Sequence, residues 1–200
     1  HLVYASSSSV YGDTDELPMR ETSVTRPVSP YGVTKLAAEH LALLYERNHG
    51  VPAVALRYFT VFGPGQRPDM SFHRFLRAAR LGECIEIYGD GTQTRDFTYV
   101  SDAVEATRLA LLKGPSGGVI NVGGGNRVTL NEALELIERV TGTELEVARR
   151  PVQRGDVDDT LADTRALNRL LGFTPKVGLE EGLGREWEWI ASLPGELIDA

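Results

Sequence analysis

His1-Leu2-Val3-Tyr4-Ala5-Ser6-Ser7-Ser8-Ser9-Val10-Tyr11-Gly12 opens the chain. Its first five residues read as a short buried strand, and the serines mark where that strand leaves its sheet. In open α/β sheets, ligands bind beyond the carboxyl ends of the strands. Hydroxyls released at that point are placed to hold a substrate. The competing reading is a serine-rich loop that caps its own backbone.

Working outward, a loop over 6–30 leads to a helix from about Tyr31 to Asn48, with Leu36, Ala37, Leu41, Leu44 and Tyr45 at helical spacing. Gly50 and Pro52 end it. Residues 53–59 read as a strand apolar on both faces, as in a covered parallel sheet. After a Gly/Pro loop at 63–68, the pattern predicts a helix over 71–81, a strand over 85–88 and a Gly89-Asp90-Gly91 turn. Ser101 reads as the N-cap of a helix to Leu112, with Asp102 in its first turn. A strand over 119–122 follows. Thr129-Leu130-Asn131-Glu132 has capping-box form and opens a helix that ends near Gly142. A strand over 144–148 comes next, then a short helix capped by Asp163 that reaches Leu171. The last helix, over 179–192, carries Trp187 and Ile190 on one side. This alternation predicts an α/β fold.

Composition narrows the function. In 200 residues, 28 acidic and 21 basic side chains leave a net charge of −7, the wrong balance for a non-specific nucleic-acid binder. Phosphate ligands stay open, because a few arginines in a cleft outweigh the global sign locally. Cys84 is the only cysteine, which excludes an intramolecular disulfide and a CxxC pair; it reads as a small buried filler. His1, His40, His49 and His73 never fall at HxxxH spacing, so no metal site is expected. No apolar run approaches the roughly 20 residues that span a bilayer. A cytoplasmic protein with no membrane or nucleic-acid partner is the expectation.

Tyr31-Gly32-Val33-Thr34-Lys35 places a tyrosine and a lysine four apart, on one helix face. A phenol of pKa near ~10 is a poor base at pH 7, and a neighbouring ammonium favours its phenolate. Such a pair can take a proton from a substrate hydroxyl while the same carbon is oxidised. Alone, the spacing fits equally a surface tyrosine and a solvated lysine. The serine run upstream raises the chemical reading.

Together these segments resemble the extended short-chain dehydrogenase/reductases, and among them the NAD-dependent nucleotide-sugar epimerases and dehydratases. The resemblance rests on the serine run with Val10-Tyr11-Gly12, on Ser29–Lys35, on Leu56–Pro64, and on Gly65-Gln66-Arg67-Pro68-Asp69-Met70. It continues through Tyr88–Gly91, Arg95–Asp102, Asn121-Val122-Gly123 and Gln153-Arg154-Gly155-Asp156-Val157. It implies a partial Rossmann-type, doubly wound parallel sheet plus a smaller α/β substrate-binding domain. Residues 1–60 would be the C-terminal part of the NAD-binding domain. Residues 61–200 would form the sugar-nucleotide domain, with possible return segments. It also implies NAD as cofactor, a UDP-sugar substrate, and a homodimer through the helix from Tyr31 and the one near 101–112.

The glycine-rich strand-turn-helix that cradles the NAD pyrophosphate in this family has no counterpart here. Gly123-Gly124-Gly125 comes late and opens no β-α-β unit. The expectation is a chain that starts near the fifth strand of such an enzyme and binds NAD weakly or not at all alone.

Dehydratases of the family place an Asp-Glu pair before the VYG motif, and its decarboxylases a Glu; here Ser8 and Ser9 stand there. The pattern is most like a UDP-glucuronate 4-epimerase. It implies Tyr31, Lys35 and Ser7 as catalytic, and Tyr31, Lys35 and Tyr58 at the cofactor. Ser8, Ser9, Thr60, Arg67, Tyr88, Arg95, Arg154 and Asp156 are implied at the substrate. Arg67 reads equally as a loop arginine in solvent, and Tyr88 as a core aromatic. A 4-epimerase of a neutral UDP-sugar and an inactive sugar-nucleotide-binding fragment are the rival readings.

Overall fold

The computed structural model describes residues 1–151 and 157–195. The opening segment is strand β1 (Leu2–Ser7), followed by one 3₁₀ turn at Ser8–Val10. Helix α1 (Pro30–His49) begins where the Ser29 side chain accepts from the Gly32 N–H and Pro30 occupies the first turn. It ends at left-handed Gly50. Strand β2 (Ala53–Tyr58) lies between β1 and β7 (Gly118–Val122), all parallel, in the order β1-β2-β7. The register sets Ser7 opposite Tyr58, and Tyr58 opposite Val122. Three strand ends therefore open on one side.

Alternation along β2 separates the faces. Val54 and Leu56 meet Ile120, Val122, Ala106, Ala110, Leu167 and Leu171. These come from β7 and from helices α3 (Val100–Lys113) and α5 (Arg165–Leu171). On the other face, under α1, stands Arg57. It is buried and paired with Glu39 of α1 through two hydrogen bonds, Nη2 to Oε1 at 2.6 Å and Nε to Oε2 at 3.0 Å. Ser6 donates to the same carboxylate at 2.5 Å. The 53–59 strand is thus not wholly apolar as the sequence suggested: its one charge is neutralised inside the fold. β1 departs as well. Leu2 is 44% exposed and only Ser6 and Ser7 are buried, because β1 is an edge strand of this sheet.

A second core gathers around Phe62, Phe72, Phe75, Leu76, Phe97, Leu134, Ile137, Leu183 and Ile190. It joins α2 (Ser71–Leu81), α4 (Leu130–Thr141) and α6 (Leu179–Ser192). Short strand pairs edge it: β3 (Val61–Phe62) with β6 (Thr98–Tyr99), β4 (Ile85–Tyr88) with β9 (Val147–Arg150), and β5 (Thr94–Asp96) with β8 (Arg127–Thr129). The capping box at Thr129–Glu132 forms as read.

Four local expectations fail. α3 starts at Val100 with no side-chain cap, and Asp102 is buried, accepting the Lys176 and Val177 N–H groups instead. Thr164, not Asp163, is the N-cap position of α5; Asp163 binds Arg165. Cys84 is exposed, not buried, because it precedes the first inward residue of β4, Ile85. The strand expected over 144–148 runs later, as β9.

Breaking the Arg57–Glu39 pair leaves an uncompensated charge between α1 and the sheet. Arg57→Leu should cost about 3–5 kcal/mol in urea unfolding. A loss below about 1 kcal/mol would show that the pair is not holding the helix down.

Candidate active site

One open cavity of about 580 Å³ lies at the carboxyl ends of β1 and β2. Ser7, Ser8, Ser9, Tyr31, Lys35, Tyr58, Thr60 and Arg67 all line it, so the structure brings eight of the twelve expected site residues together. Tyr31 reaches it because α1 docks tightly at its start. A Cβ on Gly32 would lie 2.6 Å from the Ser9 carbonyl oxygen, so only glycine lets the first turn of the helix close on the serine segment. Tyr31 is 55% exposed and faces an open mouth.

Lys35 is held from three sides. Its Nζ donates to the Ala5 carbonyl at 3.0 Å and sits 5.6 Å from the Tyr31 ring centroid and 5.7 Å from that of Tyr4. Tyr4 donates its hydroxyl to the Lys35 carbonyl, and burial pushes its own phenol up. Ser7 donates to Ser9 Oγ at 3.2 Å and accepts the Ser9 N–H. Tyr58 offers the cavity its ring, since its hydroxyl is engaged with Thr107 at 2.6 Å. Arg67 pairs with Asp69 at 3.1 Å on an exposed loop. Lys35 and Arg67 supply positive charge, and no carboxylate stands among the described residues that line the cavity.

Tyr88 and Arg95 do not line this cavity. Tyr88 ends β4 and is partly exposed. Arg95, on β5, donates to the Thr94 and Asp158 carbonyls at 2.9 and 3.1 Å. Arg154 and Asp156 lie outside the described residues.

Sequence reasoning passed over Gln66 and Asp96. Gln66 also lines the cavity; it donates to the Val61 carbonyl and accepts the His73 N–H. That ties the cavity loop to α2. Asp96 is fully buried and accepts N–H groups from Gly124 at 2.7 Å, Gly125 at 3.1 Å and Ala162 at 2.9 Å. Burial pushes its carboxyl up to about 6 against those bonds. The available signal was the alternation of β5, which turns Thr94 and Asp96 inward and Arg95 outward.

Asp96 also settles whether Gly123–Gly125 can cradle a pyrophosphate. A Cβ on Gly123 would lie 2.4 Å from the Ala162 Cβ, and one on Gly124 2.1 Å from the Phe97 carbonyl oxygen. The N–H groups of Gly124 and Gly125 are taken by Asp96. The turn is a packed joint with no room for an anion. Tyr31, Lys35 and Tyr58 meet in the cavity, and the Gly123–Gly125 turn does not fit a pyrophosphate.

The NAD dependent epimerase/dehydratase family matches residues 1–123. The chain belongs to that family. The UDP-glucuronate 4-epimerase of Thermodesulfobacterium geofontis is 40% identical over 189 residues, 94% of this chain and 58% of that protein. The crystal structure of UDP-glucuronic acid 4-epimerase from Bacillus cereus, in complex with UDP-glucuronic acid and NAD, superposes with a TM-score of 0.91. It is 40% identical, over 94% of this chain and 60% of that one. MoeE5 in complex with UDP-glucuronic acid and NAD gives a TM-score of 0.90 at 49% identity, over 94% and 64%; MoeE5 is also known in complex with UDP-glucose and NAD. The chain spans about three-fifths of the length of the curated relatives it matches. The α/β fold with its parallel sheet is that of these NAD-dependent epimerases.

The packed-joint account is checked by two glycines. Gly124→Ala should lower stability by about 1–3 kcal/mol through overpacking. Gly184→Ala, in the open on α6, should raise it by about 0.5–1 kcal/mol. Equal melting temperatures for the two variants would contradict it.

Proposed function

We propose that this chain carries the catalytic and sugar-binding part of a UDP-sugar 4-epimerase that converts UDP-glucuronate to UDP-galacturonate through a 4-keto sugar. The observation that carries the reading is the cavity itself. A tyrosine–lysine pair and three serine hydroxyls converge there, beside an arginine and without a lining carboxylate. Hydroxyl and cationic donors suit a carboxylated sugar, since each hydrogen bond to an ionised group is strong and no like charge opposes it.

Tyr31 takes the proton of the sugar 4-hydroxyl, and Ser7 holds that same hydroxyl in line. The Lys35 ammonium, fixed by the Ala5 carbonyl, stands beside the Tyr31 ring. NAD, when bound, supplies the reversible oxidation at C4; Tyr31, Lys35 and Tyr58 would meet its nicotinamide end. Ser8, Ser9 and Thr60 hold the sugar carboxylate. This restraint matters because a 4-keto acid loses carbon dioxide when its carboxylate bond aligns with the carbonyl π-system. On return, Tyr31 gives the proton back to the oxygen at C4, now in the opposite configuration, and the reaction is redox-neutral overall. Arg67 contacts the sugar or its phosphate. Tyr88, Arg95, Arg154 and Asp156 extend the site towards the nucleotide, with Arg95 at the diphosphate.

A neutral sugar is the second reading, favoured by MoeE5 having been solved with UDP-glucose as well. Residues 1–60 belong on this view to the cofactor domain and residues 61–200 to the sugar-nucleotide domain, with α3, β7 and α5 returning to the first sheet. A cytoplasmic homodimer completes the proposal. It is supported by exposed Leu41, Leu44 and Tyr45 on α1 and Val104, Leu111 and Leu112 on α3, and sedimentation velocity measures it. No described helix is long and apolar enough to cross a membrane.

The test joins this chain to the cofactor-binding strands that family members place before it. Proton NMR should show UDP-glucuronate converted to UDP-galacturonate faster than UDP-glucose or UDP-N-acetylglucosamine is epimerised. Tyr31→Phe should keep UDP-sugar binding and lower turnover by roughly 10²–10⁴. Retention of more than a tenth of the activity would remove Tyr31 from its role, and turnover confined to neutral sugars would favour the second reading.

A further inference from the structure

Helix α6 presses against the wall of the cavity from behind. A Cβ on Gly182 would lie 2.6 Å from the Phe62 ring and 2.8 Å from the Tyr99 ring. Phe62 and the next residue, Gly63, line the cavity. One turn further along α6, Glu186 is completely buried. Neither carboxyl oxygen has a hydrogen-bond partner, although the carboxyl faces the backbone N–H of Gly63.

Among the described residues, no charged neighbour explains this placement. On α6 itself, Arg185 pairs with Glu181 and lies over the Tyr99 ring. From α2, Arg80 donates to the Ile190 and Leu193 carbonyls, and His73 packs on Trp189. From α4, Arg139 pairs with Glu180. β6 offers Thr98 and Tyr99, and the cavity loop offers Arg67, already paired with Asp69. A leucine would fill the same space without the penalty of a buried, unpaired carboxyl. Burial pushes that carboxyl up to about 7, while the Gly63 amide draws it down.

We propose that Glu186 is a positioning residue for the sugar site: through the Gly63 backbone it sets the 63–67 wall that presents Arg67, and loss of its proton shifts that wall. The inference rests on the reading of this cavity as the UDP-sugar site. The uncharged carboxyl lies at rest in the apolar wall, facing the Gly63 amide without a hydrogen bond to it. The ionised one draws the Gly63 amide, or water, towards itself and moves the loop. Substrate affinity then varies with the protonation of Glu186, through the position of the wall.

The sign of the stability effect follows. An unfolded glutamate titrates near ~4.3, and the folded one higher, so the folded state binds the extra proton in between. Stability contributed by the uncharged form is present below the unfolded value and is lost as pH rises towards 7.

The test uses Glu186→Gln, which keeps an acceptor but cannot ionise, and Glu186→Leu, which has none. Melting temperature is measured from pH 5 to 8. Hydrogen exchange over residues 61–67, corrected for intrinsic rates, is measured at pH 6 and 8. KM and kcat for the UDP-sugar are measured on the extended chain. In the native protein, melting temperature relative to Glu186→Gln should fall with pH, and protection of 61–67 should change at least threefold. Glu186→Gln should flatten both. Glu186→Leu should raise KM at least fivefold with kcat within twofold. Identical pH profiles for native protein and Glu186→Gln would overturn the proposal, as would an unchanged KM in Glu186→Leu. Should Glu186→Leu fail to fold, the pH comparison with Glu186→Gln decides. Should the native protein epimerise no UDP-sugar, the function reading falls, while exchange and melting still decide the role of Glu186 behind Gly63.

Discussion

The ion pair between Arg57 and Glu39 stands between the parallel sheet and the helix that carries Tyr31 and Lys35. It is buried from both sides, and its geometry is bidentate, so it fixes orientation as well as distance. The carboxylate also accepts from Ser6, the residue before the first of the site serines. Arg57 further donates to the Glu21 carbonyl and lies over the Tyr11 ring, 4.7 Å from its centroid. Tyr11 in turn donates to Asn121 at 2.6 Å. A single charged contact thus connects the end of β1, the register of β2, the carboxyl end of β7 and the body of α1. The positions of Ser7, Tyr31 and Lys35 follow from it, because each lies within one or two turns or strand residues of a member of this network. A purely apolar contact between α1 and the sheet would have allowed sliding; a satisfied buried pair does not.

The fold class and most element boundaries were legible because they depend on periodicity and on local caps. Gly50 ends α1, and Thr129 with Glu132 opens α4, through bonds that involve only neighbouring residues. The failures share a different cause. Ser101 looks like a cap but lies inside the helix, and the next residue, Asp102, is claimed by the N–H groups of Lys176 and Val177. Cys84 looks like filler, but β4 begins its inward alternation at Ile85. For Asp102 a partner far along the chain decided the outcome, and no local pattern encodes it.

The site was legible to a similar depth. Residues at strand ends and on the first turn of a helix converge by topology, so Ser7, Tyr31 and Lys35 could be placed together from sequence. Tyr88 and Arg95 sit on the second core, where no periodic signal relates them to the serine segment. Glu186, Gln66 and Asp96 were invisible for another reason. Glu186 and Asp96 are polar residues on faces turned towards an apolar interior, which contradicts the pattern used to find such faces; Gln66 lies on a loop, where no periodicity applies. Those contradictions are where the sequence departs from the simplest stable fold.

The central claim is that this cavity holds a UDP-sugar with its 4-hydroxyl between Tyr31 and Ser7. The most direct measurement is a crystal structure of the extended protein with UDP-glucuronate and NAD. The account predicts the sugar 4-oxygen within hydrogen-bond distance of both the Tyr31 Oη and the Ser7 Oγ, and the carboxylate against Ser8, Ser9 and Thr60. A sugar seated with its 4-oxygen away from Tyr31, or with its carboxylate turned out of the serine segment into solvent, would contradict it.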